Sequence, residues 1–412
     1  MSEKLALVWL TSRAPIGAAL PYLLLKYFGS AVRVWEATED ELESAPVEWN
    51  GRMKPFLDKD LAFAERVVAY CEENSVGITA IGEHFYPKRL YDLASPPLLL
   101  YHVGNFCDLD NVPTVAVVGS RTPSAYGERA AKRLCLDLAR GGAVLISGLA
   151  RGIDGIAHRA ALYAETFTVG VLGCGIDRAY PPEHADLIRS VAQKGLLITE
   201  YPPGTPPVGS HFPMRNRILA ALSRATLVVE AAVSSGSLIT AEQALRLSRA
   251  LFAVPSTIFS ESGAGSNHLL HCGAKCALRA QDVLSVLAAD FPNSVSAQVA
   301  PKSVEKKKVR VKDAAFAFPG SGGVTPPKFE GKKEAEKPKK KVAKPARASV
   351  LDLSEDERDL LSRITFEPHS PEELAKNEMS VSAVLVLLTS LELKGYVRRV
   401  SGTRFCLVDE AE

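Results

Sequence analysis

Six short apolar runs between residues 115 and 255 constrain the fold more than any other feature of the sequence. Each has five to eight residues rich in valine, isoleucine, leucine or alanine, and most are followed by a helix-length segment: 115–119, 143–147, 166–173, 196–200, 225–231 and 250–255. Such runs are typical of strands buried on both faces of a parallel sheet, joined by right-handed helical crossovers. The sequence therefore predicts an α/β domain with a doubly wound, mostly parallel sheet, in which residues 126–140 form one of the helices.

The part of the chain before these runs has a different pattern. Residues 1–76 predict a small helical domain of the SAM or helix-hairpin-helix kind, in which 20–29 form an amphipathic helix that ends at a glycine. A packing or interaction role is favoured for it, with binding to a nucleic-acid backbone as the alternative. The α/β domain is expected over 77–290, with 77–105 as a strand-and-turn connector.

The composition changes again after the α/β domain. Residues 291–348 hold fifteen Lys or Arg against five Asp or Glu and few large apolar residues, so they predict a flexible basic linker. The lysines of 337–341 either add nonspecific affinity for nucleic acid or only keep two domains apart, and both interpretations stay open.

The last region, 349–412, predicts a winged-helix domain. Ser354 begins one helix, Ser370 and Glu373 form a capping box for a second, a third runs from about 380 to 394, and 395–408 form a two-stranded hairpin. The third helix has no basic residue before its end, and the basic charge lies in the hairpin. Docking to a protein, or a nonspecific role, is therefore at least as well supported as reading of duplex DNA.

Several classes of function lack their sequence signals. No apolar run approaches the ~20 residues of a membrane span, and no signal peptide is apparent. Seven cysteines without a C-x-x-C pair predict free thiols in a reducing cytoplasm. There is no phosphate-binding P-loop and no G-x-G-x-x-G after the first strand, so no cofactor is expected. The spacing of His268, His271, Cys272 and Cys276 matches no standard zinc pattern, and no catalytic residue is assigned.

The segment 210–240 indicates a phosphate site. Ser210 is expected to cap a helix that has Pro213 in its first turn, and Met214, Ile218, Ala221 and Leu222 predict its buried face. Arg215, Asn216 and Arg217 lie in that first turn, where cations are unfavourable unless an anion binds there. A strand follows and leads into a loop of small residues, Ser234 to Ser237, that offers N–H groups and hydroxyls.

The same chemistry follows other strands. Because ligands bind beyond the carboxyl ends of parallel strands, the residues at those ends are expected to line one crevice. Glycine allows close approach, serine donates a hydroxyl, and arginine can form two hydrogen bonds to a phosphate. Asp154 and Asp177 are expected to cap helices, and His158 to be structural. The candidate residues of this phosphate-binding crevice are Gly119, Ser120, Arg121, Ser147, Gly148, Arg151, Gly152, Phe212, Arg215, Asn216, Arg217, Ser235, Gly236 and Ser237.

Five of these stretches together resemble the DprA/Smf family: VAVVGSR, SGLARGID, LGCGIDRAYP, FPMRNRILAALS and VVEAAVSSGSLITA. The resemblance covers roughly 77–285 and implies an extended Rossmann-like fold. It also implies a dimeric, non-enzymatic protein that binds and protects single-stranded DNA in natural transformation and helps load RecA recombinase. The family's Gly-Ser-Arg and Arg-Asn-Arg motifs fall on 119–121 and 215–217. The Val-Pro-Gly that is usual after the last strand is Val254-Pro255-Ser256 here, and the basic linker is unusually long.

Two other functions are weaker alternatives. Nucleotide phosphoribohydrolases of the lysine-decarboxylase-like group resemble this architecture, but their Pro-Gly-Gly-x-Gly-Thr-x-x-Glu loop corresponds to 234–242 here, where only Glu242 could stand for the acid. A transcription factor built around the winged helix is the other, and it leaves the larger α/β domain without a role.

Overall fold

The computed structural model describes residues 1–295, 354–365, 369–375, 384, 387–388, 391, 396–401 and 404–407. Apart from 291–295, the predicted linker lies outside these residues, as does most of the predicted third helix of the C-terminal region. The chain separates into two compact units, 1–324 and 325–412. Among the described residues, every helix is too short or too polar to cross a membrane.

A nine-stranded sheet organises the first unit. Its spatial order is β1-β2-β6-β5-β4-β3-β7-β8-β9. All pairings from β6 across to β9 are parallel, whereas β1 pairs with β2, and β2 with β6, in antiparallel fashion. The strands are β1 (Gly77–Ala80), β2 (Leu99–Gly104), β3 (Thr114–Val118), β4 (Val144–Ser147), β5 (Thr168–Val171), β6 (Leu196–Thr199), β7 (Ala225–Val228), β8 (Ala250–Ala253) and β9 (Lys275–Cys276).

The topology confirms the doubly wound α/β prediction. All six apolar runs became strands, and their residues are almost entirely buried because helices cover both faces of the sheet. From β3 the chain moves through β4, β5 and β6 toward one edge, then crosses back to β7 and moves through β8 and β9 toward the other. The strand order therefore reverses between β3 and β7. The segment 77–105, predicted as a connector, also adds the strands β1 and β2 to one edge of the sheet.

Six helices precede the sheet, in agreement with the helical prediction for the N-terminal region. They are α1 (Glu3–Ser12), α2 (Leu20–Phe28), α3 (Ala31–Glu36), α4 (Glu39–Glu43), α5 (Lys54–Leu57) and α6 (Ala62–Glu73), and Gly29 ends α2 at φ +82° as expected. Each of the three tryptophans is tied to a backbone carbonyl: Trp9 Nε1 donates to Asp58 O (3.0 Å), Trp35 Nε1 to Lys59 O (3.0 Å) and Trp49 Nε1 to Leu42 O (3.2 Å). Their apolar core is continuous with residues of β2 and β6, so these helices pack directly on the sheet.

The remaining helices of the first unit alternate with the strands. They are α7 (Ala125–Arg140), α8 (Ile153–Tyr163), α9 (Ala185–Lys194), α10 (His211–Leu222), α11 (Ser237–Arg246), α12 (Ala264–His271) and α13 (Ala280–Asp290), with 3-10 turns at Lys88–Asp92, Leu109–Asn111, Pro182–His184 and Glu261–Gly263. One core lies between the sheet and α7, α8 and α13, and another between the sheet, α10 and α11. The Val254-Pro255-Ser256 turn is held by Asn267, which exchanges two hydrogen bonds with the Ser256 backbone (2.9 and 3.0 Å).

The second unit shows the helix starts and the hairpin expected of its sequence. They are α14 (Glu355–Arg363), α15 (Pro371–Leu374), β10 (Val397–Ser401) and β11 (Arg404–Leu407), with β10 and β11 antiparallel. Both predicted caps form: Ser354 accepts from Glu357 N (3.2 Å), and Ser370 with Glu373 completes a capping box. The buried residues Leu360, Leu388 and Phe405 lie in its small core.

Three expectations for α10 were wrong. The helix begins at His211, two residues before Pro213, so Arg215, Asn216 and Arg217 lie in its second turn and not in its first. Ser210 makes no side-chain cap, because its own backbone is already in the helical region (φ −67°, ψ −20°), where the hydroxyl does not reach the first-turn N–H groups. Met214 is 38% exposed, since it contacts the Gly17 turn instead of the core, whereas Ile218, Ala221 and Leu222 are buried as expected.

Candidate functional site

A cavity of about 370 Å³ opens at the carboxyl ends of β3 and β7, where the strand order reverses. This is the position at which open α/β sheets bind ligands. Eight of the fourteen candidate residues line it: Gly119, Arg121, Phe212, Arg215, Asn216, Ser235, Gly236 and Ser237. Val118, Ala150, Asp154, Pro213, Leu219 and Thr240 complete the lining. The structure thus brings the loops after β3 and β7 together with the start of α10.

The loop after β3 presents Arg121 to solvent. Gly119 has no room for a side chain, because a β-carbon there would lie 2.7 Å from Ile153 Cγ1 and 2.9 Å from Glu230 O. Ser120 N donates to Glu230 O (2.7 Å), which fixes the loop against the end of β7. Arg121 is exposed and has no ion pair within the described part of the chain. Its charge is therefore available to a ligand.

Aromatic rings stand beside this arginine. The Arg121 guanidinium carbon is 5.7 Å from the centroid of the Phe212 ring, and that ring is 5.2 Å from the ring of Tyr180. Phe212 and Tyr180 are each half-buried. A cation over a partly exposed ring can hold a phosphate while the ring stacks on a base.

Glu230 holds the same loop, and sequence reasoning missed it. The carboxylate is buried and accepts hydrogen bonds from Ser124 N (2.7 Å), Ser124 Oγ (2.6 Å) and Ser262 Oγ (3.1 Å). It thereby ties the start of α7 to the end of β7. The signal in the sequence was an acidic residue in the apolar stretch VVEAAV, where a carboxylate is retained only if it is hydrogen-bonded.

Arg215 forms the floor of the cavity and is 3% exposed. Its Nη1 donates to Gly148 O (2.9 Å) and to Val171 O, and its Nε donates to Asn216 Oδ1 (3.1 Å). A β-carbon on Gly148 would overlap the guanidinium, so this glycine is required by the arginine. Burial lowers the pKa of Arg215, and the nearby Asp154 carboxylate opposes that shift. Two backbone carbonyls and the Asp154 carboxylate therefore compensate much of the positive charge of Arg215 within the protein.

Asp154 holds the loop after β4 instead of capping α8, so the capping expectation was wrong. Its Oδ2 accepts from Gly148 N (3.1 Å) and Ala150 N (3.4 Å), because the loop folds back over the first turn of α8. Burial raises the pKa of Asp154, while Arg215 and these N–H groups act in the opposite direction. Asp177 also differs from expectation, since its carboxylate accepts from Gly204 N (2.8 Å) in another loop.

Arg217 lies on a different face of α10 and does not line the cavity. It is 9% exposed and forms a buried ion pair with Glu200 at the end of β6. Burial raises the pKa of Glu200, and Arg217 opposes that rise. The two arginines of the Arg-Asn-Arg motif thus lie on different sides of α10, because residues two positions apart do not share a helix face.

The other candidates outside the cavity support its loops. Ser147 is buried and donates to Val117 O (2.6 Å), and the exposed Arg151 pairs with Glu183. Gly152 has φ +69° and approaches the Ser120 carbonyl so closely that only glycine fits. Ser120 Oγ accepts from Thr122 N (3.1 Å).

The loop after β7 leads into the N-terminus of α11. Ser235 Oγ is 2.7 Å from Ser237 Oγ and 3.3 Å from Ser237 N, and Asn216 Nδ2 donates to Gly236 O (3.4 Å). Thr240, one turn into α11, lines the cavity and was absent from the sequence prediction. Its small polar side chain in an otherwise ordinary helix offered little signal.

Two further groups are placed away from the cavity. His158 is fully buried, with Nδ1 2.9 Å from Thr168 Oγ1, and burial lowers its pKa to about 3. The His268 and Cys272 side chains are 3.6 Å apart, but no set of three or more potential metal ligands exists within the described ranges.

Comparisons with known proteins agree with this architecture. Residues 77–288 match the family model described as DNA recombination-mediator protein A, and 344–403 match the model described as DprA winged helix domain, which confirms the winged-helix prediction. The chain is 36% identical over 250 residues to "DNA processing protein DprA" of Bacillus subtilis, covering 61% of this chain and 82% of that protein. It is 42% identical over 200 residues to the protein of that name from Streptococcus pneumoniae, covering 48% and 70%. The solved structure of DNA processing protein A from Streptococcus pneumoniae matches with a TM-score of 0.55 at 32% identity, over 67% of this chain and 95% of that one.

Proposed function

Because the chain belongs to the DNA recombination-mediator protein A family, we propose that it binds single-stranded DNA in the cavity at the carboxyl ends of β3 and β7. The observation that carries this proposal is the position of Arg121 over Phe212. A solvent-exposed cation beside a partly exposed ring suits a strand whose phosphates and bases are both accessible. In a duplex the bases are stacked and paired, so the ring could not reach them.

The candidate residues divide into three groups in this proposal: those that contact the strand, those that form the floor, and those that hold the loops. Arg121 holds a phosphate and Phe212 stacks on a base, while Asn216 and the 235–237 loop supply polar contacts. Arg215 and Gly148 form the floor. Ser120, Ser147, Arg151, Gly152 and Arg217 act by holding the loops and helices that carry the first group.

Binding without catalysis is the role that the geometry favours. Glu242, the residue that could replace the hydrolase acid, is exposed, pairs with Arg246 at 2.7 Å and does not line the cavity. Incubation with nucleoside monophosphates should therefore release no free base. Detection of released base by chromatography would revive the hydrolase alternative.

The binding proposal is tested with single- and double-stranded oligonucleotides over a range of salt concentrations. Wild type should prefer the single strand, and Arg121→Ala should weaken binding and reduce the salt slope by about 0.7 for the one lost phosphate contact. Arg246→Ala is the matched control, because it also removes an arginine on this unit but one that pairs with Glu242 away from the cavity. Equal affinity of wild type for both DNA forms, or an unchanged slope in Arg121→Ala, would overturn the assignment.

The wider role follows from the family resemblance. We propose that the protein acts in the cytoplasm as a homodimer, protects incoming single strands during natural transformation and helps load RecA recombinase on them. Sedimentation of the purified protein tests the dimer. Assembly of RecA on a strand already coated with single-strand-binding protein, with and without this protein, tests loading, and equal assembly rates would contradict it.

A further inference from the structure

Helix α11 begins at the wall of the cavity with its N-terminal turn directed toward the lining. The helix has ten residues, and its N-cap, Gly236, supplies no side-chain acceptor. Leu238 N and Ile239 N donate to the carbonyls of Ser235 (3.0 Å) and Gly236 (3.3 Å), so Ser237 N is the first-turn N–H group that a ligand can use. Ser235 Oγ accepts weakly from Ser237 N (3.3 Å), and residues 235–237 all line the cavity. A helix N-terminus carries partial positive charge and N–H groups that favour an anion.

Thr240 gives an independent indication of a ligand at this place. The residue is fully buried and lines the cavity, yet its Oγ1 has no hydrogen-bond partner within the described part of the chain. Buried hydroxyls are nearly always hydrogen-bonded, so an unpartnered one in the wall of a cavity is an available donor. Thr226 on β7 is also buried with an unpartnered hydroxyl, but it does not line the cavity.

We propose that the first turn of α11 and the Thr240 hydroxyl form a seat for one phosphodiester group of the bound strand. This inference rests on the proposed function. It adds a second phosphate position, at which backbone N–H and hydroxyl groups bind the phosphate in place of an arginine side chain. Arg121 and Arg215 line the same cavity and contribute positive charge. Asp154 also lines it, but its carboxylate accepts two loop N–H groups and lies near Arg215.

The first test compares two threonine-to-valine substitutions of equal shape. Thr240→Val removes the hydroxyl of the seat, and we expect about tenfold weaker binding of a single-stranded oligonucleotide, since a hydrogen bond to a charged group is lost. Thr226→Val is the control and should bind as wild type, and Thr240→Ser should keep most of the affinity. Equal affinities of the Thr240→Val and Thr226→Val proteins would overturn the seat.

The second test locates the phosphate by changing the DNA, so its main comparison uses only the wild-type protein. A set of oligonucleotides, each with one neutral methylphosphonate linkage, is titrated against the wild-type protein. The seat predicts one linkage, distinct from the one that responds to Arg121→Ala, at which neutralisation weakens binding most, and at which Thr240→Val adds no further loss. A uniform, small effect of every linkage would overturn it. Failure of wild type to bind any single strand would instead overturn the proposed function.

Discussion

Two arginines separated by one residue in α10 show how burial decides the role of a charge. Arg215 faces the cavity and is held by carbonyl groups, whereas Arg217 faces the junction with β6 and pairs with Glu200. The sequence places both in the first turn of a helix and indicates an anion for both. The sequence does not show which side of α10 packs on the sheet, and in the structure only Arg215 lines the cavity.

The first prediction concerns the buried ion pair. Arg217→Met leaves the Glu200 carboxylate buried without its partner, which should lower the free energy of unfolding by about 3–5 kcal/mol. DNA affinity of the folded variant should remain close to wild type. Urea unfolding measures the first quantity. The double variant Glu200→Gln with Arg217→Met should recover most of the loss, and a stable single variant with weak DNA binding would contradict this assignment.

The second prediction concerns pH. Burial lowers the pKa of His158 to about 3, while in the unfolded chain a histidine titrates near 6.5. Between these pH values the unfolded state binds a proton at His158 and the folded state does not. The free energy of unfolding therefore decreases as pH falls from about 6.5 toward 3, by about 1.4 kcal/mol per pH unit. In His158→Gln the slope of unfolding free energy between pH 6 and pH 4 should be smaller by this amount. The slope should not vanish, because the pKa of His102 is also lowered by burial, to about 4.

At the scale of elements, the strands were predictable and the contacts between loops were not. Six of the parallel strands, β3 to β8, are largely apolar because both of their faces are covered, and that pattern is local in the sequence. Caps such as Ser354 and Ser370 were also predictable, since the cap and its N–H partner are three residues apart. Glu230 and Thr240 were not, because their roles depend on loops that are distant in the sequence.

The third prediction is argued at this scale, since Glu230 joins two elements. Glu230→Ala removes the acceptor for two hydrogen bonds from Ser124 at the start of α7 and for one from Ser262, so residues 119–124 should become more mobile. We expect faster amide hydrogen exchange in that segment and roughly tenfold weaker binding of single strands, equivalent to about 1.4 kcal/mol. Glu242→Ala, an exposed carboxylate on α11, is the control. Unchanged exchange with unchanged binding would show that Glu230 does not position the loop.

At the scale of the whole molecule, the formal net charge of +2 conceals a strong asymmetry, because the segment 291–348 carries fifteen basic against five acidic residues. The α/β unit holds the proposed site, and we expect the basic segment that follows it to add long-range attraction for a polyanion. The fourth prediction distinguishes the contribution of the proposed site from that of the basic segment.

Deletion of 300–412 should lower affinity for single strands at low salt and make its dependence on salt shallower. At high salt the shortened and complete proteins should bind alike, because screening removes the contribution of the basic segment. The preference for single over double strands should persist. Loss of that preference on deletion would assign strand selection to the C-terminal region.

The reversal of strand order between β3 and β7 has a consequence for synthesis of the protein. β3 finishes at Val118, but its neighbour β7 begins only at Ala225, and α11 follows still later. At about 5–20 residues per second, a ribosome needs roughly 5–20 s to make the intervening segment. Throughout that interval the edge of β3 that will pair with β7 is unpaired, and the cavity lacks the wall formed by residues 235–240. A nascent chain should thus acquire its affinity for DNA abruptly, when the segment through α11 has left the ribosome.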